Sequence, residues 1–431
     1  MSRRPKKPTH PAEPVRLAIT ALGAQGEGIA LHDNVRMFVP YTVPGDHVRV
    51  LPTAADRAQV LHVLAPGPHR QTPPCPHFGP GQCGGCALQH LDDSFYAEWK
   101  RELAATTLAR AGLSGFELRA LARTPPQARR RAEFVAAITR SGVQLGFHVR
   151  GSHEIVAIGP CPVLAPELEA LLPALRAFLA GAFPAPLALD ILATMVTGAI
   201  ELVFTGQPAP DRVVREALAR FAHEAGLARI AWRTARTQTP EIIVQRQVLR
   251  ATFGQVPVDL PPGAFLQASE AGERAIVGGV RDAVGPAKRV ADLYAGAGAI
   301  TLALAEGRRR LHAVDSGREM IAALDAAARR RGRGADVTTE VRDLARRPLI
   351  GDELDRFDAV VFDPPREGAA AQAAALARSK VPIVVGVSCN PATFARDALT
   401  LARGGYRLTA VTPIDQFLWS PHLELVGAFT R

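Results

Sequence analysis

The pattern of apolar and polar residues changes along the chain and predicts three regions of different fold. Residues 13–65 contain short β-branched runs separated by glycine-rich turns, and they predict a small, OB-like all-β barrel. Residues 66–255 mix strand and helix patterns and predict an α+β central domain. From residue 256 strands and helices alternate, as expected for a C-terminal Rossmann-like α/β domain with a doubly wound parallel sheet.

Length and charge limit the class of protein. The chain has 431 residues, 47% of them hydrophobic, and a net charge of +10, which favours a polyanionic partner such as nucleic acid. Residues 1–12 are basic and proline-containing and predict a disordered tail. There is no apolar run of 18 residues and no apolar signal segment, so we expect a cytoplasmic protein without a membrane span.

Four of the five cysteines are spaced like metal ligands. Cys75, Cys83 and Cys86 follow a C-x7-C-x2-C pattern in a proline- and glycine-rich loop, and Cys161 follows in another Cys-Pro pair. Tetrahedral sulfur ligation suits either zinc or an iron–sulfur cluster. The spacing alone slightly favours zinc, whereas a proline after a ligand cysteine is typical of cluster proteins.

A glycine-rich loop and three acids predict a nucleoside cofactor site. The first strand of the α/β domain ends in the sequence DLYAGAG, where Gly296 allows the backbone to approach a ligand. Asp315 ends the second strand and is placed to bind ribose hydroxyls, and Asp343 is a candidate adenine contact. Because Asp292 opens the loop, the cationic S-adenosyl-L-methionine fits better than a pyrophosphate.

Two further strand ends supply reactive groups. An apolar strand, Val381 to Val387, ends in Ser-Cys-Asn-Pro and presents Cys389 at the carboxyl edge of the sheet, and another ends in the Asp363-Pro-Pro sequence. Glu424 lies in the last strand, two residues after His422, and both are candidates for a general base. A thiolate that adds to carbon 6 of a pyrimidine makes carbon 5 nucleophilic towards a sulfonium methyl, and a carboxylate then removes the carbon 5 proton.

Together these motifs resemble the RNA uracil-5-methyltransferase family. The resemblance rests on SCNPATFARD, DPPREG, DLYAGAG, PGAFLQAS, the C-GGC loop and the HLE terminus, and GAQGEGIA…FVPYTVPGDHV resembles a TRAM RNA-binding barrel. It implies that Cys389 is the nucleophile and Glu424 the base. The residues that would line the cofactor and uracil pocket are Gln267, Tyr294, Asp315 and Asp363. The four cysteines would bind a 4Fe-4S cluster, in place of zinc.

The resemblance also implies a reaction and a substrate. It predicts carbon 5 methylation of a uridine in 23S ribosomal RNA by a monomeric enzyme, and packing of a helix at residues 91–113 on the catalytic domain. Two alternatives stay open, a transfer RNA uracil-5-methyltransferase and a non-catalytic iron–sulfur RNA-binding protein. The chain departs from the family in the seven residues between Cys75 and Cys83, where five are usual, and at Ser269 and Ala299, where asparagine is usual.

Overall fold

A computed structural model describes residues 13–305, 309–330 and 336–431, so the predicted tail at 1–12 lies outside the described residues. Contacts divide the chain into two compact units. Unit 1 comprises Met1–Trp99, Phe147–Pro162 and Trp419–Pro421, and unit 2 comprises Lys100–Gly146, Val163–Leu418 and His422–Arg431. The domain limits predicted at residues 65 and 255 stay predictions.

Unit 1 begins with an all-β region, as the sequence predicts. Its strands are β1 (Val15–Ala18), β2 (Ala21–Leu22), β3 (Gly28–His32), β4 (Val35–Val39), β5 (His47–Ala54) and β6 (Arg57–Ala65). They form a mostly antiparallel sheet in the order β1-β5-β6-β4-β3-β2. Alternate residues, such as Leu17, Val48 and Val50, are buried in one apolar cluster, because successive strand residues point to opposite faces.

The first helix links this region to unit 2. Helix α1 (Asp93–Arg110) begins after Asp92, whose Oδ1 accepts a hydrogen bond from the Phe95 amide at 2.8 Å and so caps the first turn. Within unit 2, Ala104 and Leu108 of α1 are buried in an apolar cluster with residues of the α/β sheet, including Ala291. The predicted helix at 91–113 therefore forms, with slightly shorter bounds.

The central part of the chain is a mixed α+β region. Its elements are β7 (Glu117–Leu118), β8 (Ala122–Arg123), β9 (Arg131–Thr139), β10 (Gly142–His148), β11 (Ile155–Ala157), α2 (Pro166–Ala182), β12 (Leu187–Val196), β13 (Ala199–Thr205), α3 (Arg212–Glu224), β14 (Arg229–Arg233) and β15 (Glu241–Gln245). In unit 2 the strands follow the order β10-β9-β12-β13-β14-β15. Helix α2 starts with Pro166 at its first turn and buries a leucine face, which covers apolar surface.

The C-terminal part alternates strands and helices. Its elements are β16 (Arg250–Phe253), β17 (Val256–Asp259), α4 (Glu270–Val284), β18 (Arg289–Leu293), α5 (Ala299–Leu304), β19 (Arg310–Asp315), α6 (Arg318–Arg330), β20 (Asp336–Val341), α7 (Asp352–Asp355), β21 (Ala359–Phe362), α8 (Ala370–Ala377), β22 (Ile383–Ser388), α9 (Pro391–Arg403), β23 (Arg407–Asp415) and β24 (Glu424–Thr430). None of the described helices is long and apolar enough to cross a bilayer.

The sheet order explains where a ligand can bind. The strands run β20-β19-β18-β21-β22-β24-β23-β7, with β18 to β22 pairing in parallel and β24 antiparallel to both neighbours. Neighbouring residues of β22 belong to two different apolar clusters. Val384 is in one cluster with Phe394 of α9, and Val385 is in another with Val280 of α4. Helices thus cover both faces, and the strand order reverses between β18 and β21, where doubly wound sheets open a crevice.

Candidate active site

The loop after β18 has a backbone shaped for close approach. Tyr294 has φ of 65°, Gly296 has 54° and Gly298 has 91°, so three of five consecutive residues are left-handed. A Cβ on Gly298 would lie 2.4 Å from the Leu324 side chain of α6, and only glycine fits there. A tyrosine held at positive φ stores strain, which is typical of ligand-binding loops.

Two acids at strand ends are held by backbone amides. Asp315 accepts hydrogen bonds from the Gly296 amide at 2.9 Å and the Gly317 amide at 2.7 Å, one on each carboxylate oxygen. Asp343 accepts from the Ala345 amide at 3.0 Å. Each carboxylate oxygen has two lone pairs, so both side chains keep acceptor capacity for a ligand.

Asp292 is a buried acid with an unused oxygen. Thr301 donates a hydrogen bond to its Oδ2 at 2.5 Å, while Oδ1 is buried without a hydrogen-bond partner. Burial raises the pKa of Asp292 to about 7. A cationic group would supply the missing partner, so the residues present fit the sulfonium and ammonium groups of S-adenosyl-L-methionine better than an anionic ligand.

A cavity of about 830 Å³ in unit 2 contains these side chains. All eight residues that the sequence predicts for catalysis or cofactor binding line it, namely Gln267, Tyr294, Gly296, Asp315, Asp343, Asp363, Cys389 and Glu424. The cavity lies at the carboxyl ends of β18, β19, β21 and β22, as expected at a reversal of strand order. The structure therefore brings the predicted set together, while the role of each residue stays a prediction.

Cys389 lies in a tight turn between β22 and α9. The Asn390 side chain accepts from the Ala392 amide at 3.1 Å and caps α9, which begins at Pro391. Burial raises the pKa of the half-buried Cys389 thiol to about 11, and the charges of Glu424 and Asp363 add to the effect. The Arg366 cation acts in the opposite direction and favours the thiolate.

Four side chains form a chain of hydrogen bonds, and three of them line the cavity, while the buried Gln416 does not. Gln267 donates to Asp363 Oδ2 at 3.3 Å, and Gln416 donates to Gln267 Oε1 at 2.8 Å and to Glu424 Oε2 at 2.7 Å. Burial raises the pKa of Glu424 to about 8 and that of Asp363 to about 7. Sequence analysis missed Gln416, because it belongs to no motif that predicts chemistry.

Arg366 and His422 meet although 56 residues separate them. Arg366 Nη2 lies 3.2 Å from His422 Nδ1, and the Arg366 carbonyl accepts from the Asn390 side chain at 3.3 Å. Arg366 lines the cavity with Glu424, whereas His422 is not among the described residues that line it. Of the two candidate bases, Glu424 is therefore the one that lines the cavity, and its role stays a prediction.

The four clustered cysteines lie in unit 1, half-buried, and Cys389 is in unit 2. Burial raises the pKa of Cys75 and Cys83, and the charge of Cys161 raises both further. No group of three or more His, Cys, Asp or Glu side chains in the described ranges is arranged to hold a metal ion. The metal site is therefore not confirmed, although soft thiol groups close enough to influence each other suit a zinc ion or a cluster chemically.

Comparison with known proteins identifies the relatives of the chain. The model of the tRNA (uracil-5-)-methyltransferase family matches residues 259–430. A 23S rRNA (uracil(1939)-C(5))-methyltransferase of Chromohalobacter salexigens is 34% identical over 445 residues, covering 96% of this chain and 89% of that protein. The chain belongs to the RNA uracil-5-methyltransferase family. It is thus an RNA methyltransferase, and the predicted family is confirmed.

Two further proteins are similar to this RNA uracil-5-methyltransferase over nearly its whole length. An uncharacterised RNA methyltransferase of Brucella suis is 42% identical over 416 residues, covering 96% of this chain and 98% of that protein. The structure of a Pyrococcus abyssi tRNA (uracil-54, C5)-methyltransferase in complex with S-adenosyl-L-homocysteine matches with a TM-score of 0.75 at 23% identity. It covers 96% of this chain and 99% of that one, so both share a methyltransferase fold.

Proposed function

We propose that this enzyme methylates carbon 5 of a uridine in 23S ribosomal RNA, with S-adenosyl-L-methionine as the donor. The observation that carries the proposal is one cavity lined by Cys389, Glu424 and the acidic loop that follows β18. The ribosomal substrate is supported by the Chromohalobacter relative, which is named for 23S rRNA. The net charge of +10 favours any RNA partner.

The loop after β18 and the acids around it form the donor side of the cavity. Asp292 offers an unpaired oxygen to a cationic group, and Asp315 offers lone pairs to ribose hydroxyls. Asp343 and Tyr294 line the same side. When bound, S-adenosyl-L-methionine supplies an electrophilic methyl group.

Cys389 and Glu424 would act on the uracil ring in sequence. The thiol loses its proton to solvent, helped by the Arg366 cation, and the sulfur bonds to carbon 6 while the ring electrons move to the carbon 4 oxygen. The enolate returns these electrons as carbon 5 takes the methyl group, and the electron pair of the broken sulfur–methyl bond would stay with the donor, which would leave as a thioether. Glu424 then accepts the carbon 5 proton, the double bond re-forms and the carbon 6–sulfur bond breaks. Gln267 and Asp363, joined by a hydrogen bond, would hold the ring.

Methyl transfer to defined RNAs tests the function. We expect the purified chain to move a labelled methyl group to 23S rRNA and to produce 5-methyluridine. RNA with 5-fluorouridine at the target should trap a covalent complex that survives denaturing gels, because carbon 5 then carries no removable proton. If no covalent complex forms with either ribosomal or transfer RNA, the result would contradict the proposal and favour a non-catalytic RNA-binding protein.

Transfer RNA is a second candidate substrate, because the family model and the Pyrococcus abyssi structure are both named for it. Equal amounts of 23S rRNA and of a tRNA transcript, each unmodified, should be compared for labelling rate. Preference for the tRNA would replace the ribosomal assignment and leave the chemistry unchanged. The monomeric state and the cytoplasmic location stay predictions.

The N-terminal sheet is proposed as the TRAM domain that holds RNA. Arg16 on β1 pairs with Arg49 on β5, and Arg49 pairs with His62 on β6. All three are exposed, and directly paired residues of antiparallel strands project from the same face. This row of basic side chains suits phosphate groups without requiring a base sequence.

A 4Fe-4S cluster on Cys75, Cys83, Cys86 and Cys161 belongs to the proposal as well. The thiols of Cys75, Cys83 and Cys161 influence each other electrostatically, and the Gly85 amide donates to Cys83 Sγ at 3.4 Å. Cluster sulfurs are commonly stabilised by such amide donors. Protein purified without oxygen should contain about four irons per chain. Stoichiometric zinc without iron would replace this assignment.

A further inference from the structure

The side chain of Gln416 has one orientation that uses all its hydrogen-bonding groups. It follows β23 directly and is 3% exposed. One N–H of its amide donates to Glu424 Oε2 and the other to Gln267 Oε1, while its own Oε1 accepts from the Ala268 amide at 3.1 Å. Rotation of the amide by 180° would place an oxygen against the Glu424 carboxylate, so the nitrogen faces this acid.

Close packing keeps Gln416 in this position. A Cβ on Gly272 of α4 would lie 2.6 Å from the Gln416 Cβ, so the side chain lies directly against the helix backbone. The segment before it is held by the fully buried Lys100, which donates to Asp415 at 2.9 Å and to the His422 carbonyl. Lys100 therefore holds the end of β23, directly before Gln416, and the segment just before Glu424 of β24.

The electrostatics of the wall oppose the ionised form of Glu424. Burial is the largest cause of its raised pKa, and the charge of Asp363 is the next. Cys389 is a further titratable group beside it, since the Glu424 charge acts on this thiol, and the Arg366 cation lines the same cavity. The Gln416 amide is the hydrogen-bond donor that acts in the opposite direction, because it stabilises a carboxylate and not a carboxylic acid.

We propose that Gln416 is a positioning residue that favours the ionised form of Glu424 and directs its second oxygen towards the uracil ring. The inference rests on the proposed function, in which Glu424 accepts the carbon 5 proton. The same amide joins Glu424 to Gln267 and, through it, to Asp363, so the proton acceptor and the proposed uracil contacts form one connected wall. The position of the uracil ring and the orientation of the Glu424 carboxylate would then both depend on the Gln416 side chain.

Release of the methylated adduct as a function of pH is the measurement that tests this role. The adduct is formed in a single turnover, and its decay is followed on denaturing gels. The pH is varied from about 6 to about 9.5, which brackets a pKa of about 8. Gln416→Met removes the donors at similar length. We expect the rising limb of its release profile to move up by about one pH unit, with release about tenfold slower at pH 7.

Two more variants make the result specific. Gln416→Glu keeps the side-chain shape but replaces the amide donor by an acid, so we expect a larger upward shift of the release profile. This variant also provides the test if Gln416→Met does not fold. Gln372→Met is the matched control, because Gln372 is a fully buried amide whose hydrogen bonds among the described residues go to the Leu349 backbone, and it does not line the cavity. It should lower stability and leave the release profile in place.

The outcomes separate this inference from the proposed function. Folded Gln416 variants with slower release but an unshifted profile would overturn the inference, since a structural role alone predicts that result. A wild-type chain that forms no adduct with 5-fluorouridine RNA would overturn the proposed function and the inference with it. A shift in both Gln416 variants, absent from Gln372→Met, supports the assignment.

Discussion

The cavity of unit 2 and the cysteine loop of unit 1 are both rich in reactive side chains, but they are built differently. Most of the cavity's acids and its cysteine lie at the ends of parallel strands, and the acids accept hydrogen bonds from backbone amides or from glutamine side chains. Cys75, Cys83 and Cys86 lie in a segment without regular strands or helices, and Cys161 lies in a similar one.

This difference separates two uses of reactive groups. In the cavity, burial raises the pKa of Asp292 and of Asp363 to about 7 and that of Glu424 to about 8, so these acids can exchange protons near neutral pH. In the loop the thiols are half-buried and burial raises the pKa of Cys75 and Cys83, so a bound metal would stabilise thiolates that burial alone disfavours. We therefore expect changes in the cavity to affect chemistry and changes in the loop to affect metal content and stability.

The largest expected effect is that of Cys389→Ala. Turnover and adduct formation should fall to background, while affinity for S-adenosyl-L-methionine stays nearly unchanged, because the thiol acts only on the uracil ring. Labelled methyl transfer and calorimetric binding measure the two quantities. The matched control is Cys83→Ala, which should keep adduct formation. Normal turnover in Cys389→Ala would remove the nucleophile assignment.

Glu424→Gln should slow product release about a hundredfold or more and let a methylated enzyme–RNA adduct accumulate. Attack by Cys389 and methyl transfer precede the proton removal, so both should continue. Denaturing gels with labelled donor detect the adduct. His422→Asn is the comparison, since His422 contacts Arg366. If His422→Asn traps the adduct and Glu424→Gln turns over normally, the base is His422.

In unit 1, Cys75→Ser should abolish iron binding and lower the melting temperature by several degrees. The physical reason is that a cluster bound only to the native state stabilises it by mass action. Iron analysis and calorimetry of anaerobic protein measure both. The single-turnover rate of methyl transfer to saturating RNA should stay within about twofold, since no proposed step passes through the loop. If the single-turnover rate falls while RNA affinity stays normal, the cysteine loop takes part in the chemistry and the two regions do not have separate roles.

A smaller effect concerns the pH dependence of stability. The folded pKa of Asp292 is raised from 3.8 to about 7, so the stability that its protonated form contributes is present below pH 4 and is lost as pH rises to about 7. Asp292→Asn stays neutral, so its free energy of unfolding relative to that of the wild type should rise by on the order of 2 kcal/mol between about pH 5 and 8, as denaturant unfolding at each pH would measure. Donor affinity should fall about tenfold.

Asp358→Asn is the control with the opposite sign. Hydrogen bonds from Arg289 lower the pKa of Asp358, so its contribution is present at neutral pH and is lost as pH falls. This variant should therefore be destabilised at pH 7 and less so in acid. If Asp292→Asn shows the same pH trend as Asp358→Asn, burial does not raise the Asp292 pKa.

Much of the site could be predicted because it lies at strand ends. Apolar runs followed by Asp315, Asp363 or Cys389 mark the carboxyl edge of a parallel sheet, and all such ends meet in one crevice. Gln416 could not be predicted, since a glutamine after a strand is common and its partners, Gln267 and Glu424, belong to different segments. The contact of Arg366 with His422 escaped prediction for the same reason.

The sequence by itself determined the order of strands and helices, the glycine positions that need left-handed backbone, and the side chains available at each strand end. These follow from local periodicity and backbone sterics, which act over a few residues. Only the tertiary structure decided which acids hold protons near neutral pH. Asp363 and Glu424 are 61 positions apart in sequence, yet burial among packed elements and the Asp363 charge raise the Glu424 pKa, while the Gln416 amide lowers it. Desolvation depends on what surrounds a group in space, and residue order alone does not specify that.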